Sequence, residues 1–250
     1  MKVIKGILIA FSTYSRLPVG AFSWKEEDTK YALIFFPWVG LLIGAVLAGW
    51  HFLCQKAELG FGCELLFMVG LPILITGGIH VDGFMDTMDA VHSYKSPEEK
   101  RKILADPHIG AFAVIMLAAY GLFYTGAWSE IMERNGLPAA YGIFFFARSL
   151  SGLSAVLFPK AKEEGMLHSF LQGTATKVTV ICLLLQAVLC ICYWLLLSPL
   201  LSLTGAAALA VMGGYFFFAG KQFGGVSGDT SGFFVLIQEL VMVMVIALVS

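Results

Sequence analysis

Charge is what this sequence has least of. Asp, Glu, Lys and Arg make up 13% of its residues, about half of the roughly 25% usual in soluble domains. Hydrophobic residues make up 58%, and the mean hydropathy is +0.83. That balance excludes a soluble globular domain. A chain of 250 residues with several long apolar runs reads instead as an all-α, polytopic membrane bundle. The net charge of −1 identifies no partner, and nucleic acid is not expected. Paired cysteine is missing too. Cys54, Cys63, Cys182, Cys190 and Cys192 form no CxxC and no Cys/His cluster, which argues against a disulfide framework or a zinc site. Three of them lie in one apolar run, where cysteine behaves as a small hydrophobe. A cleavable signal is not expected: Lys2 and Lys5 precede only the short run Gly6 to Phe11, with no small-residue cleavage site after it. No 20–50-residue repeat stands out, and residues 1–250 read as one domain.

The apolar runs predict about seven spans. Residues 3–15 read as a short interfacial or re-entrant helix, and Ser23 to Lys30 as a charged, exposed link. The spans follow at about Tyr31–Trp50, Phe61–Ile79, Ile109–Trp128, Pro138–Phe158, Val178–Leu197, Leu200–Gly220 and Gly232–Val249. Pro37, Gly40 and Gly44 give the first of them close-packing or kinking points. In the longest hydrophilic stretch, His80 to Ile109, Ser96-Pro97-Glu98-Glu99 has the order of a capping box and predicts a short helix through Leu104. Asp106-Pro107 repeats the start signal and is expected to open the third span. With the N-terminus inside, thirteen of the 16 Lys and Arg fall in inside segments. Only Lys56 and Arg134 fall outside, and Arg148 lies within a span. This bias predicts a cytoplasmic face carrying His80–Ile109, the Lys160–Glu164 loop and the Gly224–Gly232 loop.

Against that shortage of charge, Gly77-Gly78-Ile79-His80-Val81-Asp82-Gly83-Phe84-Met85-Asp86-Thr87-Met88-Asp89-Ala90 holds three carboxylates directly after an apolar run. On a helix, Asp86 stands about 40° to one side of Asp82 and Asp89 about 20° to the other. Like charges at this spacing repel. A solvated acidic helix start is the plain alternative, but the stripe against a membrane segment is better explained by a hard cation among oxygen ligands. Mg²⁺ typically binds one or two carboxylates plus substrate phosphates.

Arg148 and Glu239 fall near the middles of the fourth and seventh spans, where a charge needs a partner or a polar cavity. A mutual ion pair and a substrate role are both open. Lys221-Gln222-Phe223-Gly224-Gly225-Val226-Ser227-Gly228-Asp229-Thr230 can offer backbone N–H groups to a phosphate. It lacks the Gly-Lys-Ser/Thr ending of a P-loop, and an ordinary turn also uses glycines. His80 and His108 flank the acidic loop and can move protons near pH 7. Phe144-Phe145-Phe146 and Phe216-Phe217-Phe218 read as lipid-facing bulk.

Taken together, these residues resemble the cobalamin synthase family, the adenosylcobinamide-GDP ribazoletransferases, over nearly the full length. The resemblance is carried by Phe11-Ser12-Thr13-Tyr14-Ser15-Arg16-Leu17-Pro18-Val19, Phe36-Pro37-Trp38-Val39-Gly40 and Gly77-Gly78-Ile79-His80-Val81-Asp82-Gly83 with Asp86 and Asp89. It continues through Asp106-Pro107-His108-Ile109-Gly110, Arg148, Phe158-Pro159-Lys160-Ala161-Lys162-Glu163-Glu164-Gly165-Met166 and Gly224-Gly225-Val226-Ser227-Gly228-Asp229-Thr230. Lys160 and Lys162 depart from the pattern, which has an arginine before Glu-Gly-Met. Lysine keeps the cation and loses the bidentate fork.

The resemblance implies a multi-pass enzyme of a bacterial or archaeal cell membrane, with its active site toward the cytoplasm. It would join adenosylcobinamide-GDP to α-ribazole or α-ribazole 5′-phosphate, release GMP and require Mg²⁺. On that reading Asp82, Asp86 and Asp89 hold the metal, and Arg16 or Arg148 stabilises phosphate oxygens. His80 or one of the aspartates is the general base. Lys160, Asp106, Gly224, Gly225, Gly228 and Asp229 are the candidate substrate contacts. The bilayer is the expected surroundings, and an oligomer is left open. Two rivals stand beside this reading. A CDP-alcohol phosphatidyltransferase or prenyltransferase also uses intramembrane aspartates, but the former wants Ala-Arg after Asp-Gly, and here Asp82-Gly83 is followed by Phe84-Met85-Asp86. A transporter would use Arg148 and Glu239 as a relay, and gives no reason for the aspartate stripe.

Overall fold

The computed structural model describes residues 2–19, 24–161 and 166–250. The chain opens with α1 (Lys2–Tyr14) and a 3₁₀ stretch, Glu26–Phe35, that runs directly into α2 (Phe36–Ala57). Next come α3 (Phe61–Thr76), α4 (Ile79–His92), α5 (Pro97–Ile103) and α6 (Ala111–Glu133). The second half holds α7 (Leu137–Tyr141), α8 (Ile143–Leu157), α9 (Met166–Gln172), α10 (Thr176–Leu197), α11 (Ser202–Phe223) and α12 (Gly228–Val249). Among the described residues there is no strand, only an isolated parallel bridge between Lys160 and Val226. Six helical stretches are long and apolar enough to cross a membrane, and the bent pair α3–α4 would make a seventh. The fold is an all-α, multi-pass bundle.

The N-terminal helix has the two-faced character of an interfacial helix. Ile9 and Ala10 are fully buried while Val3 and Ile4 stay exposed, so one side packs inward and the other is left for lipid. The segment after it is an exposed link only in part: Trp24, Lys25 and Glu27 are exposed, while its end packs inward. Thr29 is fully buried, and Asp28 accepts a hydrogen bond from Lys5 Nζ at 2.8 Å, which holds the 3₁₀ stretch against α1.

Helices α2, α8 and α12 form the centre, and α6, α10 and α11 the rim. Gly40 and Gly44 serve as close-packing points, as expected. A Cβ on Gly40 would lie 2.2 Å from the Phe144 carbonyl oxygen, and one on Gly44 2.5 Å from that of Tyr141. The backbones of α2 and α7–α8 therefore touch. Phe144 and Phe146 are fully buried in this core, which corrects their reading as lipid-facing bulk. Phe216 and Phe217 on α11 are exposed and keep that reading.

Two boundaries also differ. The second span ends at Thr76 and not Ile79, because Gly77 and Gly78 both take left-handed conformations, with φ of 64° and 80°. Glycine adopts these without strain, and α4 leaves α3 at 92°. We read α3 as the membrane-crossing member of this pair, and α4, with its carboxylates, as lying outside the crossings. Asp106 does not cap the third span. Its Oδ1 accepts the His108 backbone N–H at 3.0 Å in a local turn, and α6 starts at Ala111 behind Gly110. The capping box that opens α5 is present: Ser96 accepts from the Glu99 N–H and the Glu99 side chain returns to the Ser96 N–H.

Candidate active site

The site forms where the starts of α4 and α12 run backbone to backbone. A Cβ on Gly83 would lie 2.6 Å from the Asp229 carbonyl oxygen, and one on Gly232 3.3 Å from His80 Cα. Only glycine permits this approach, and it carries Asp229 to the stripe on α4. The α12 start is itself fixed by a capping box, with Ser227 Oγ accepting the Thr230 N–H at 3.2 Å and Thr230 Oγ1 accepting the Ser227 N–H at 2.8 Å. Tyr215 donates to that same Thr230 oxygen at 3.0 Å.

A cavity of about 450 Å³ opens beside this junction. Its charged lining is Asp82 and Asp229 together with Arg101 and Lys160, and Ser227 and Gly228 stand next to them. The far wall is aromatic: Tyr14, Phe36 and Phe170, with Tyr14 packed on Phe36 at 4.2 Å between ring centroids. His80 completes the lining. It is 6% exposed, and its Nε2 is buried without a hydrogen-bond partner. Burial, reinforced by the charge of Arg148, holds the imidazole well below its ordinary pKa, so His80 is neutral at pH 7.

The carboxylates are gathered close enough to act on one another. Asp86, half-buried, has its pKa pushed up to about 6 by burial and by the negative charges of Asp82, Asp229 and Asp89. Asp82, Asp86 and Asp89 form no ion pair among the described residues. Asp89 stands farther along the helix, its carboxylate against Gly110 at the start of α6. Among the described residues, no three His, Cys, Asp or Glu side chains converge closely enough to hold a metal by themselves.

The remaining nominated residues are dispersed. Arg148 is 1% exposed and donates from one nitrogen to Glu239 Oε1 at 2.8 Å and to the Phe144 carbonyl at 3.0 Å. That is the mutual ion pair, and Arg148 is not part of the cavity lining. Arg16 is exposed; its backbone N–H donates to Ile75 O at 2.8 Å, and its side chain lies over Gly77 outside the cavity lining. Asp106 is exposed and paired with His108 at 2.6 Å.

The glycine loop is not an open anion nest. The Gly224, Gly225 and Val226 N–H groups donate to Gly220 O, Ala219 O and Pro159 O at 3.0, 3.1 and 2.8 Å. Gly224 and Gly225 therefore shape the turn, while Gly228 and Asp229 face the cavity. Lys160 lines it as well, although its Nζ donates to Val156 O and Phe158 O at 3.2 and 2.6 Å, and burial lowers its pKa. Lys162, Glu163, Glu164 and Gly165 lie outside the described residues.

Sequence reading missed Arg101 and the aromatic wall. Arg101 was hidden in the run Lys100-Arg101-Lys102, which counts as inside charge whatever each side chain does. The only local signal was the capping box just before it, which fixes where α5 begins.

The model of the family described as cobalamin-5-phosphate synthase matches residues 6–247. Curated relatives named adenosylcobinamide-GDP ribazoletransferase resemble the chain along almost all of their length. The one from Lachnoclostridium phytofermentans is 38% identical, over 96% of this chain and 92% of its own. Those from Geobacillus thermodenitrificans and Clostridium botulinum (strain Alaska E43) are 32% and 30% identical, over 91% and 96% of this chain and 89% and 95% of their own. No solved structure matches the chain. With its full-length match, the glycine–histidine–aspartate stretch at the start of α4 and the cavity beneath it, the chain belongs to the cobalamin-5-phosphate synthase family.

Proposed function

We propose that the chain joins adenosylcobinamide-GDP to α-ribazole or its 5′-phosphate and releases GMP. The observation that carries this is the cavity in which Asp82 and Asp229 share a lining with Arg101 and Lys160. Carboxylates and cations around one space suit a phosphate that arrives with a divalent cation. The relatives' names supply adenosylcobinamide-GDP and the transfer of a ribazole.

Phosphoryl transfer of this kind is mostly positioning and neutralisation of charge on the transferring group. A hydroxyl of the ribazole ribose attacks the phosphorus that bears the cobinamide, and GMP leaves. The acceptor's proton goes to His80, which lines the cavity, or to one of the aspartates beside it. Cationic side chains in the lining neutralise phosphate oxygens. The aromatic wall of Tyr14, Phe36 and Phe170 keeps water from the reacting centre.

Magnesium fits the carboxylates present. Their mutual repulsion, expressed in the raised pKa of Asp86, asks for a cation, and Mg²⁺ needs only one or two carboxylates when phosphates complete its shell. Asp82 and Asp86 would hold it with Asp229 beside them, and Asp89 from farther along α4. Bound there, it supplies Lewis-acid neutralisation of the diphosphate.

The test is GMP release by purified protein given both substrates and Mg²⁺. No GMP with either ribazole form would end the proposal. We further propose that this end of the bundle faces the cytoplasm of a bacterial or archaeal cell. Cysteines introduced near Glu99 and Gly228 should be protected in right-side-out vesicles, and one near Asn135 labelled. Labelling at Gly228 from outside would reverse the orientation.

A further inference from the structure

Among the described residues, four arginines and lysines stand as candidates to meet a phosphate, and three of them are already engaged. The Arg148 guanidinium is locked to Glu239 and the Phe144 carbonyl. Arg16 lies across Gly77, away from the cavity lining. Lys160 reaches the cavity, yet its ammonium caps the end of α8 through two carbonyls. The fourth, Arg101, lines the cavity and is held in place from one side only. One terminal nitrogen donates to Phe223 O at 2.8 Å; the other meets Glu98 at 3.5 Å, a marginal contact. The rest of its planar fork has donors to offer. Its neighbour Lys100 is buried and bonded to Gln222 Oε1, so α5 is docked on the end of α11, where the glycine turn begins.

We infer that Arg101 is the phosphate-binding cation of the cavity and holds the diphosphate of the nucleotide donor opposite the carboxylates. The inference rests on the proposed donor and adds the residue that reads its charge. A guanidinium suits this task because its fork meets two phosphate oxygens at once, where an ammonium acts as a point charge. Fixing it on Phe223 O removes much of the side-chain freedom that binding would otherwise have to remove. The docking of α5 then has a purpose: it sets a cation, drawn from a run of surface charge, over a cavity whose other cation among the described residues is an engaged lysine.

The experiment uses detergent-purified full-length protein and labelled GDP, with unlabelled inorganic pyrophosphate as competitor. For Arg101→Gln, GDP affinity should fall about ten- to a hundredfold, the range for one charge-assisted hydrogen-bonding partner, and pyrophosphate competition should weaken in step. Arg101→Lys should recover part of the loss. Lys102→Gln, an exposed neighbour on α5 that does not line the cavity and leaves the α5–α11 contact in place, should bind within about twofold of wild type, as expected for a residue that touches no ligand. Unchanged GDP binding in Arg101→Gln overturns the inference, as does an equal loss in Lys102→Gln, or a wild type that binds neither probe. Loss of GDP binding with pyrophosphate competition intact overturns it too, since the base would then be what is read. Failure of the parent reading looks different: GDP binds and depends on Arg101, yet no GMP is released from the two substrates. Normal GMP release by Arg101→Gln sinks only the inference.

Discussion

The Arg148–Glu239 pair and the acidic cluster around Asp86 both set charge against apolar helices, and they are handled in opposite ways. Glu239 is 5% exposed and Arg148 1%, and each holds the other at 2.8 Å, with the Phe36 ring 5.9 Å from the guanidinium carbon. Charge in the middle of the bundle is thus closed off within the protein. Around Asp86 the neighbours are like-charged, and the carboxyl is pushed up to about 6. A fold that pairs one charge inside the bundle and surrounds another with like charge separates structure from site: the first pair positions helices, the second waits for something brought in.

The largest effect should come from breaking the closed pair. Arg148→Met or Glu239→Gln alone strands a buried charge or a buried polar group, and each should lower stability by about 3–5 kcal/mol. The double variant should lose clearly less than the two singles summed, because neither orphan remains. Thermal unfolding in detergent measures all three. Additive losses would show that the contact between α8 and α12 carries no coupling, and the contrast with the acidic cluster would collapse.

The open cluster should behave in reverse. Asp82→Asn or Asp86→Asn keeps shape and relieves repulsion, so stability without metal should hold or rise slightly. GMP release should fall about 10²–10³-fold, the range seen when one group facing developing charge is removed. Added Mg²⁺ should raise the melting temperature of the wild type and do so much less for either variant, since a ligand stabilises only through what binds it. Near-normal turnover of Asp86→Asn, or an equal Mg²⁺ shift in all three proteins, would remove the metal from the site.

Periodicity and composition made the closed half readable. Mid-span positions of Arg148 and Glu239 demanded partners before any contact was known, and Gly40 and Gly44 four apart announced a tight helix face. The α4 stripe followed from helical angles alone. What could not be read depended on which backbones meet. Asp229 joins the cluster only because Gly83 and Gly232 let α4 and α12 touch, and no local pattern states that pairing. The N–H groups after Phe223 looked available until Pro159 O and Ala219 O were found to engage them. Phe144 and Phe146 look like lipid-facing bulk in a string and become core because Trp128 of α6 and Trp194 of α10 pack on their rings. Arg101 differs from its flanking lysines in nothing local; its place is set by Phe223 on another helix.

The smallest effect concerns a third way of handling a carboxylate, at the start of α5. Glu99 is exposed, and its pKa is lowered first by hydrogen bonds from the Ser96 side chain and backbone, with Lys95 and Lys102 adding to them. A carboxyl held below its unfolded value stabilises the folded form fully above that value, near 4.5, and loses this contribution as pH falls through the lowered one. The docking of α5 should therefore be independent of pH from about 5 upward and loosen below about 4, the ordinary carboxylate range. Hydrogen exchange of the amides from Glu99 to Leu104, taken relative to their intrinsic rates, reports it. Glu99→Gln keeps an acceptor for the Ser96 N–H and cannot ionise, so its exchange ratio should stay flat over the same interval. A flat wild-type profile would mean that contacts to Gln222 and Phe223, not the cap, hold α5. Arg101 would then owe its position to the end of α11 alone, and Ser96→Ala, an exposed cap normally worth about 1 kcal/mol, would leave GDP binding unchanged.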